Sequence, residues 1–112
     1  FCLPEYASYC ASKSAAAIMT AGLRAELGHR GVQVAGVFTG AVDTRMAAPG
    51  DYPKSSPLEH GHEVLSAMEA GEEDIFAGKG AEHMRVAIRA DPKAFERGMI
   101  ERYRTKPMGS VG

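Results

Sequence analysis

Apolar positions follow two rhythms along this chain, and the switches between them divide it into blocks. Residues 7–27 contain no Pro and a single Gly, and they are dense in Ala, Leu, Met, Glu and Arg. Ala11, Ala15, Ile18, Met19, Gly22 and Leu27 recur mostly at steps of three and four, which predicts a helix with one apolar stripe. Its small members, Ala15, Ala16, Ala17 and Gly22, allow another helix or a sheet to approach closely. Gly28 and Gly31 end the helix, with His29 and Arg30 suited to its negative pole. The rhythm then becomes nearly continuous: residues 32–38 (VQVAGVF) are apolar and rich in β-branched side chains, as in a buried parallel strand. Helix, Gly turn and apolar strand together predict an α/β fold, as half of a βαβ unit.

Residues 39–57 break the pattern with Gly40, Pro49, Gly50, Pro53 and Pro57. They predict a long loop with one helical turn near 43–47, and long loops in compact domains tend to be lids or binding loops. A helix is expected over 58–70, with Leu58, Val64, Leu65 and Met68 as its buried side, ended by Gly71. DIFA, residues 74–77, reads as a short edge strand, followed by an amphipathic helix over 81–89. Asp91-Pro92 opens a last helix to about Arg104, and the tail KPMGSVG is expected to fray. The organisation expected is one partial domain: 1–46 with the first helix, the strand and the loop that follows it, 47–57 lid-like, and 58–112 as carboxy-terminal helices with an edge strand.

Composition narrows the function classes without choosing one. The 112 residues are 45% hydrophobic and 24% charged, with a formal net charge of -1. No Lys/Arg stripe marks a nucleic-acid partner, and no apolar run is long enough for a bilayer. The start, FCLPEYASYC, carries neither an initiator Met nor a secretory signal pattern, so the chain is expected to be a fragment. Cys2 and Cys10 are expected as reduced thiols in a cytoplasmic protein rather than as a disulfide framework. His60, His62 and His83 stand on a solvated stretch without a ligand pattern, and no metal is expected.

Candidate chemistry is concentrated at the start of the first helix. Tyr9 and Lys13 lie four residues apart and so share a face. A phenol is a weak base at neutral pH, but a cation held near it favours the phenolate. At about 4 Å and an effective dielectric near 20 that attraction is roughly 4 kcal/mol. The positive end of the helix acts in the same direction. A Tyr so placed can donate its proton to a nascent alkoxide or take it back.

YASYCASKSAAAIMTAGLRAEL followed by GVQVAGVFTGAVDTRM resembles the short-chain dehydrogenase/reductase family over the first 46 residues. The Tyr-x-x-x-Lys pair falls on Tyr9 and Lys13, with Ser12 just before the Lys. Thr39-Gly40-Ala41-Val42-Asp43-Thr44 is similar to the family's Pro-Gly-x-x-x-Thr loop, with Thr39 where the family usually has Pro. The resemblance implies the carboxy-terminal part of a Rossmann-like doubly wound parallel sheet, with the nucleotide-binding half upstream. It implies an oxidoreductase moving a hydride between NAD or NADP and a small carbonyl or alcohol. Tyr9 would be the general acid/base, and Lys13 would assist it and hold the nicotinamide ribose. Val42 would offer its backbone to the carboxamide, and the Thr44 hydroxyl would bond to the carboxamide or pyrophosphate. Thr39 and Gly40 would form the loop root, Gly40 letting the backbone pass close to the cofactor. A homo-dimer or tetramer is implied as well.

The Gly-rich phosphate loop and the family's catalytic Ser and Asn match nothing in these 112 residues. The chain alone is therefore expected to lack activity. The alternative is a non-enzymatic relative or inactive truncated product that acts as a binding protein.

Overall fold

The computed structural model describes residues 3–105; the predicted fraying of residues 106–112 lies outside them. The Ala-rich block forms one unbroken helix, α1 (Ala7–Leu27). Before it, a tight turn brings the Tyr6 N–H onto the Leu3 carbonyl at 3.1 Å. After it comes a short 3-10 turn over Gly28–Arg30, closed by Gly31 at φ +74°. That left-handed conformation is open to Gly without steric cost.

Two strands follow the helix in the order the apolar runs predict. Strand β1 (Gly36–Thr39) and strand β2 (Asp74–Ala77) pair in parallel, with Gly36 opposite Asp74 and Thr39 opposite Ala77. The crossover between them carries α2 (Pro57–Glu69), and α3 (Ala81–Ala90) and α4 (Pro92–Thr105) complete the chain. This parallel β-α-β arrangement with flanking helices is the α/β fold expected from the sequence.

Several details depart from expectation. Strand β1 begins at Gly36, not at residue 32, because its ladder extends only as far as β2 provides partners. The Gly36 N–H bonds to the Glu73 carbonyl at 2.8 Å, while the Val34 carbonyl is taken by Arg24 Nε at 2.9 Å. Residues 43–47 form no helix: the Ala47 N–H returns to the Thr44 carbonyl and the Gly50 N–H to the Ala47 carbonyl, which are separate four-residue turns. Helix α2 starts at Pro57, one residue earlier than predicted. The Ser56 hydroxyl accepts from the Glu59 N–H at 3.1 Å, and the Glu59 carboxylate accepts from the Ser56 N–H at 2.9 Å. That reciprocal cap, with Pro in the first turn, fixes the start. Helix α4 opens where Asp91 accepts the Ala94 N–H at 2.8 Å.

Ile75, Ala77 and Ala81 are the buried apolar residues among those described. Phe38 and Phe76, opposite each other in register, stack at 4.8 Å and 15°, and the Arg85 guanidinium covers Phe76. Helix α1 lies against β1 so closely that a side chain at Gly36 would meet the Thr20 methyl at 3.3 Å. The apolar stripes predicted to be buried are largely exposed. Ile18 on α1 is 77% exposed and Leu58 on α2 is 72% exposed, and Met19 and Leu65 are also exposed. A helix about 30 Å long resting on two strands about 5 Å apart meets them only along a narrow strip. On α1 that strip carries half-buried Ala17, Thr20, Arg24 and Leu27. The radius of gyration, 15.8 Å, exceeds the roughly 13 Å of a compact domain of this length.

Candidate active site

Tyr9 stands in the first turn of α1, and Lys13 one turn later brings its Nζ to 5.5 Å from the Tyr9 ring centroid. The ammonium therefore lies over the ring as a cation–π contact. Both side chains are open to solvent, Tyr9 at 43%. Ser12 does not reach outward: its hydroxyl donates to the Tyr9 carbonyl at 2.7 Å. Cys10 is a free thiol whose sulfur accepts the Leu3 N–H at 3.4 Å; Cys2 lies outside the described residues. Among the described residues, Tyr9 and Lys13 are thus presented to solvent near the start of the helix.

Thr39, Gly40, Val42 and Thr44 leave β1 along a loop held by main-chain bonds. The Gly40 N–H donates to the Ala77 carbonyl at 2.7 Å, and the Ala41 N–H to the Lys79 carbonyl at 3.0 Å. A side chain at Gly40 would lie 2.4 Å from the Lys79 oxygen and 2.9 Å from the Gly78 oxygen. The close approach that requires Gly here is therefore to the turn after β2. Ser55 crosses the same loop: its N–H donates to the Ala41 carbonyl at 2.9 Å, and its carbonyl accepts the Asp43 N–H at 2.8 Å. Val42 sits between those two bonds as a parallel bridge partner of Ser55. In such a bridge the central residue's own N–H and C=O point away from the partner strand. Among the described residues neither group of Val42 has a hydrogen-bond partner. Thr44 is exposed, and its carbonyl accepts the Ala47 N–H at 3.0 Å.

The helix pair and the loop are connected through Arg24 and the α1–β1 contact. Arg24 Nε bonds the Val34 carbonyl at 2.9 Å, and one Nη bonds both the Glu73 carbonyl at 2.7 Å and the Asp74 carboxylate at 2.9 Å. Sequence reasoning passed over both Arg24 and Ser55. An Arg in a Leu-Arg-Ala-Glu-Leu run gives no sign that it turns inward, and Ser55 gives no signal apart from its place in the loop. His60, His62 and His83 do not converge, and among the described residues no three His, Cys, Asp or Glu side chains are grouped as metal ligands would be.

With this geometry in place, comparison with known proteins points to a family. Residues 2–52 match the model of the family described as short chain dehydrogenase. A solved structure, a short chain dehydrogenase from Burkholderia cenocepacia J2315 in complex with NADP, is 37% identical with a TM-score of 0.81. The match covers 88% of this chain and 41% of that one. These matches support membership of the short-chain dehydrogenase family. Among curated proteins no match is found. The family assignment accounts for the parallel sheet and its helices, and this chain spans about two fifths of the length of the Burkholderia dehydrogenase. No described helix is long and apolar enough to cross a membrane.

Proposed function

We propose that this short-chain dehydrogenase chain supplies the proton-transfer pair and the nicotinamide-side loop of an NAD(P)-dependent oxidoreductase acting on a small carbonyl or alcohol. The observation that carries the reading is the exposed Tyr9–Lys13 pair at the amino-terminal end of α1, within the segment that matches the family. The residues present fit a nicotinamide nucleotide. Val42 offers an unpartnered N–H and C=O to a carboxamide, and Lys13 offers an ammonium to ribose hydroxyls. When bound, the nicotinamide supplies or accepts the hydride. In reduction Tyr9 donates its phenolic proton to the substrate oxygen, and in oxidation it takes that proton back. Lys13, one turn along α1 with its ammonium over the Tyr9 ring, assists it by holding the ring and the ribose together. Val42 and Thr44 orient the ring, on a loop rooted at Thr39 and Gly40.

The NADP of the Burkholderia structure supports a dinucleotide of this type, NAD or NADP, for the present protein. The exposed apolar residues of α1, Ile18, Met19 and Leu23, support a homo-oligomer built on that helix. Because the chain spans two fifths of that relative and has no Gly-rich phosphate loop of its own, the 112 residues alone are expected to show no carbonyl reduction. Turnover by the isolated chain would overturn that expectation. The decisive test is Tyr9→Phe in the whole protein. Turnover should fall by about a hundredfold or more while dinucleotide affinity stays within about twofold. Unchanged turnover would remove Tyr9 from the chemistry.

A further inference from the structure

Ser55 is 6% exposed and is the buried polar residue among those described. It belongs to no helix or strand, yet three hydrogen bonds meet on it. Two are the main-chain bonds to Ala41 and Asp43, at 2.9 and 2.8 Å, on either side of Val42. The third is made by its side chain: the Ser55 Oγ accepts the Lys79 N–H at 3.1 Å. Lys79 in turn accepts the Ala41 N–H at 3.0 Å. Ala41, Lys79 and Ser55 thus form a closed ring of three bonds, in which each residue holds the other two.

We propose that Ser55 is a positioning residue for the nicotinamide end of the cofactor, acting through the ring of bonds that fixes the Val42 peptide groups. The inference rests on the reading that Val42 faces the nicotinamide. A loop of small residues has many accessible conformations, and offering one N–H and one C=O in a fixed direction requires those alternatives to be removed beforehand. The bonds to Ala41 and Asp43 are main-chain bonds that any residue but proline can make at position 55. The hydroxyl closes the ring by giving residue 55 its own bond to the turn between β2 and α3, beside the Ala41–Lys79 bond. Replacing it leaves the Lys79 N–H without its acceptor and opens the ring, so that residue 55 can shift relative to the turn and loosen the Val42 peptide groups it flanks.

The experiment compares two ligands on the whole protein: the preferred oxidised dinucleotide, NAD or NADP, and its ADP-ribose moiety without the nicotinamide. Ser55→Ala should weaken the dinucleotide by about five- to tenfold and leave the nicotinamide-free nucleotide unchanged. The KM for dinucleotide should rise more than kcat falls. Equal weakening of both ligands would reduce Ser55 to a structural role, and no change in either would overturn the proposal. If Ser55→Ala does not fold, Ser55→Cys keeps the bulk with a weaker acceptor. It should show the same selectivity with a smaller loss, and an equal loss for both ligands would again overturn the proposal. Failure of the underlying reading looks different. The unmodified protein would then bind the nicotinamide-free nucleotide as tightly as the dinucleotide.

Discussion

Helix α1 and the loop after β1 both belong to the candidate site, and they are built in opposite ways. The helix makes its own main-chain bonds and would carry the proposed chemistry on side chains, Tyr9 and Lys13, which any rotation of the helix would carry along. The loop would present main-chain groups, those of Val42, and is held from outside by Ser55, Ala77 and Lys79. A functional pair on a helix can therefore be lost by changing the residue that acts. A functional peptide group in a loop can be lost only by changing what supports it. The two regions should accordingly respond to substitution in different measurements.

The largest effect expected is on the helix side. Lys13→Ala in the whole protein should lower both dinucleotide affinity and turnover by about tenfold or more, with little change in melting temperature. A change confined to melting temperature would make Lys13 a structural residue and remove the contrast. On the loop side, Gly40→Ala should act on stability first. The new methyl meets the Lys79 oxygen at 2.4 Å, a backbone atom that cannot swing away. A cost of about 1–3 kcal/mol is expected in a denaturant titration. An Ala variant as stable as the parent would show that the turn after β2 is free to move, contrary to the bonded arrangement described.

The smallest effect is expected at the far end of the loop, where α2 begins. Ser56→Ala should cost about 1 kcal/mol through the lost cap, measured in the same titration. The Glu59 carboxyl is held below its ordinary value near 4.5, chiefly by the Ser56 main-chain N–H and then by its side chain. Its contribution to stability is therefore present above that ordinary value and is lost as pH falls through the lowered one. Glu59→Gln should flatten that part of the acid profile, whereas Ser56→Ala, which keeps the main-chain donor, should leave most of it. An acid profile unchanged by Glu59→Gln would show the cap to be energetically idle.

Legibility in the sequence followed the same divide. Where bonding is local, pattern and propensity were enough: α1 spans Ala7–Leu27 and β2 spans Asp74–Ala77 as read from the residues. The Tyr9–Lys13 proximity also follows from helical spacing alone. Where bonding is long-range, the sequence was silent. The start of β1 depended on how far β2 could pair, and the Ser55 ring joins positions 41, 55 and 79, whose identities are ordinary. The composition of residues 43–47 permits a helical turn, and the four-residue turns that form there depend on neighbours in space. Burial was the least legible property. Ile18 and Leu58 belong to apolar stripes whose covering surface is not supplied by the two strands described. The capping pattern at Ser56 and Glu59, by contrast, was present in the residues and would have moved the predicted start of α2 to its observed place.

Arg24 has a further consequence for how this protein can diverge. Two of its three acceptors are the carbonyl oxygens of Val34 and Glu73, atoms that every amino acid possesses. Mutation at positions 34 and 73 can therefore accumulate without loosening the helix from the sheet, and only position 74 is constrained through its own side chain. A tether of this kind leaves little trace in the residues it grips. Its history would be recorded almost entirely by the arginine.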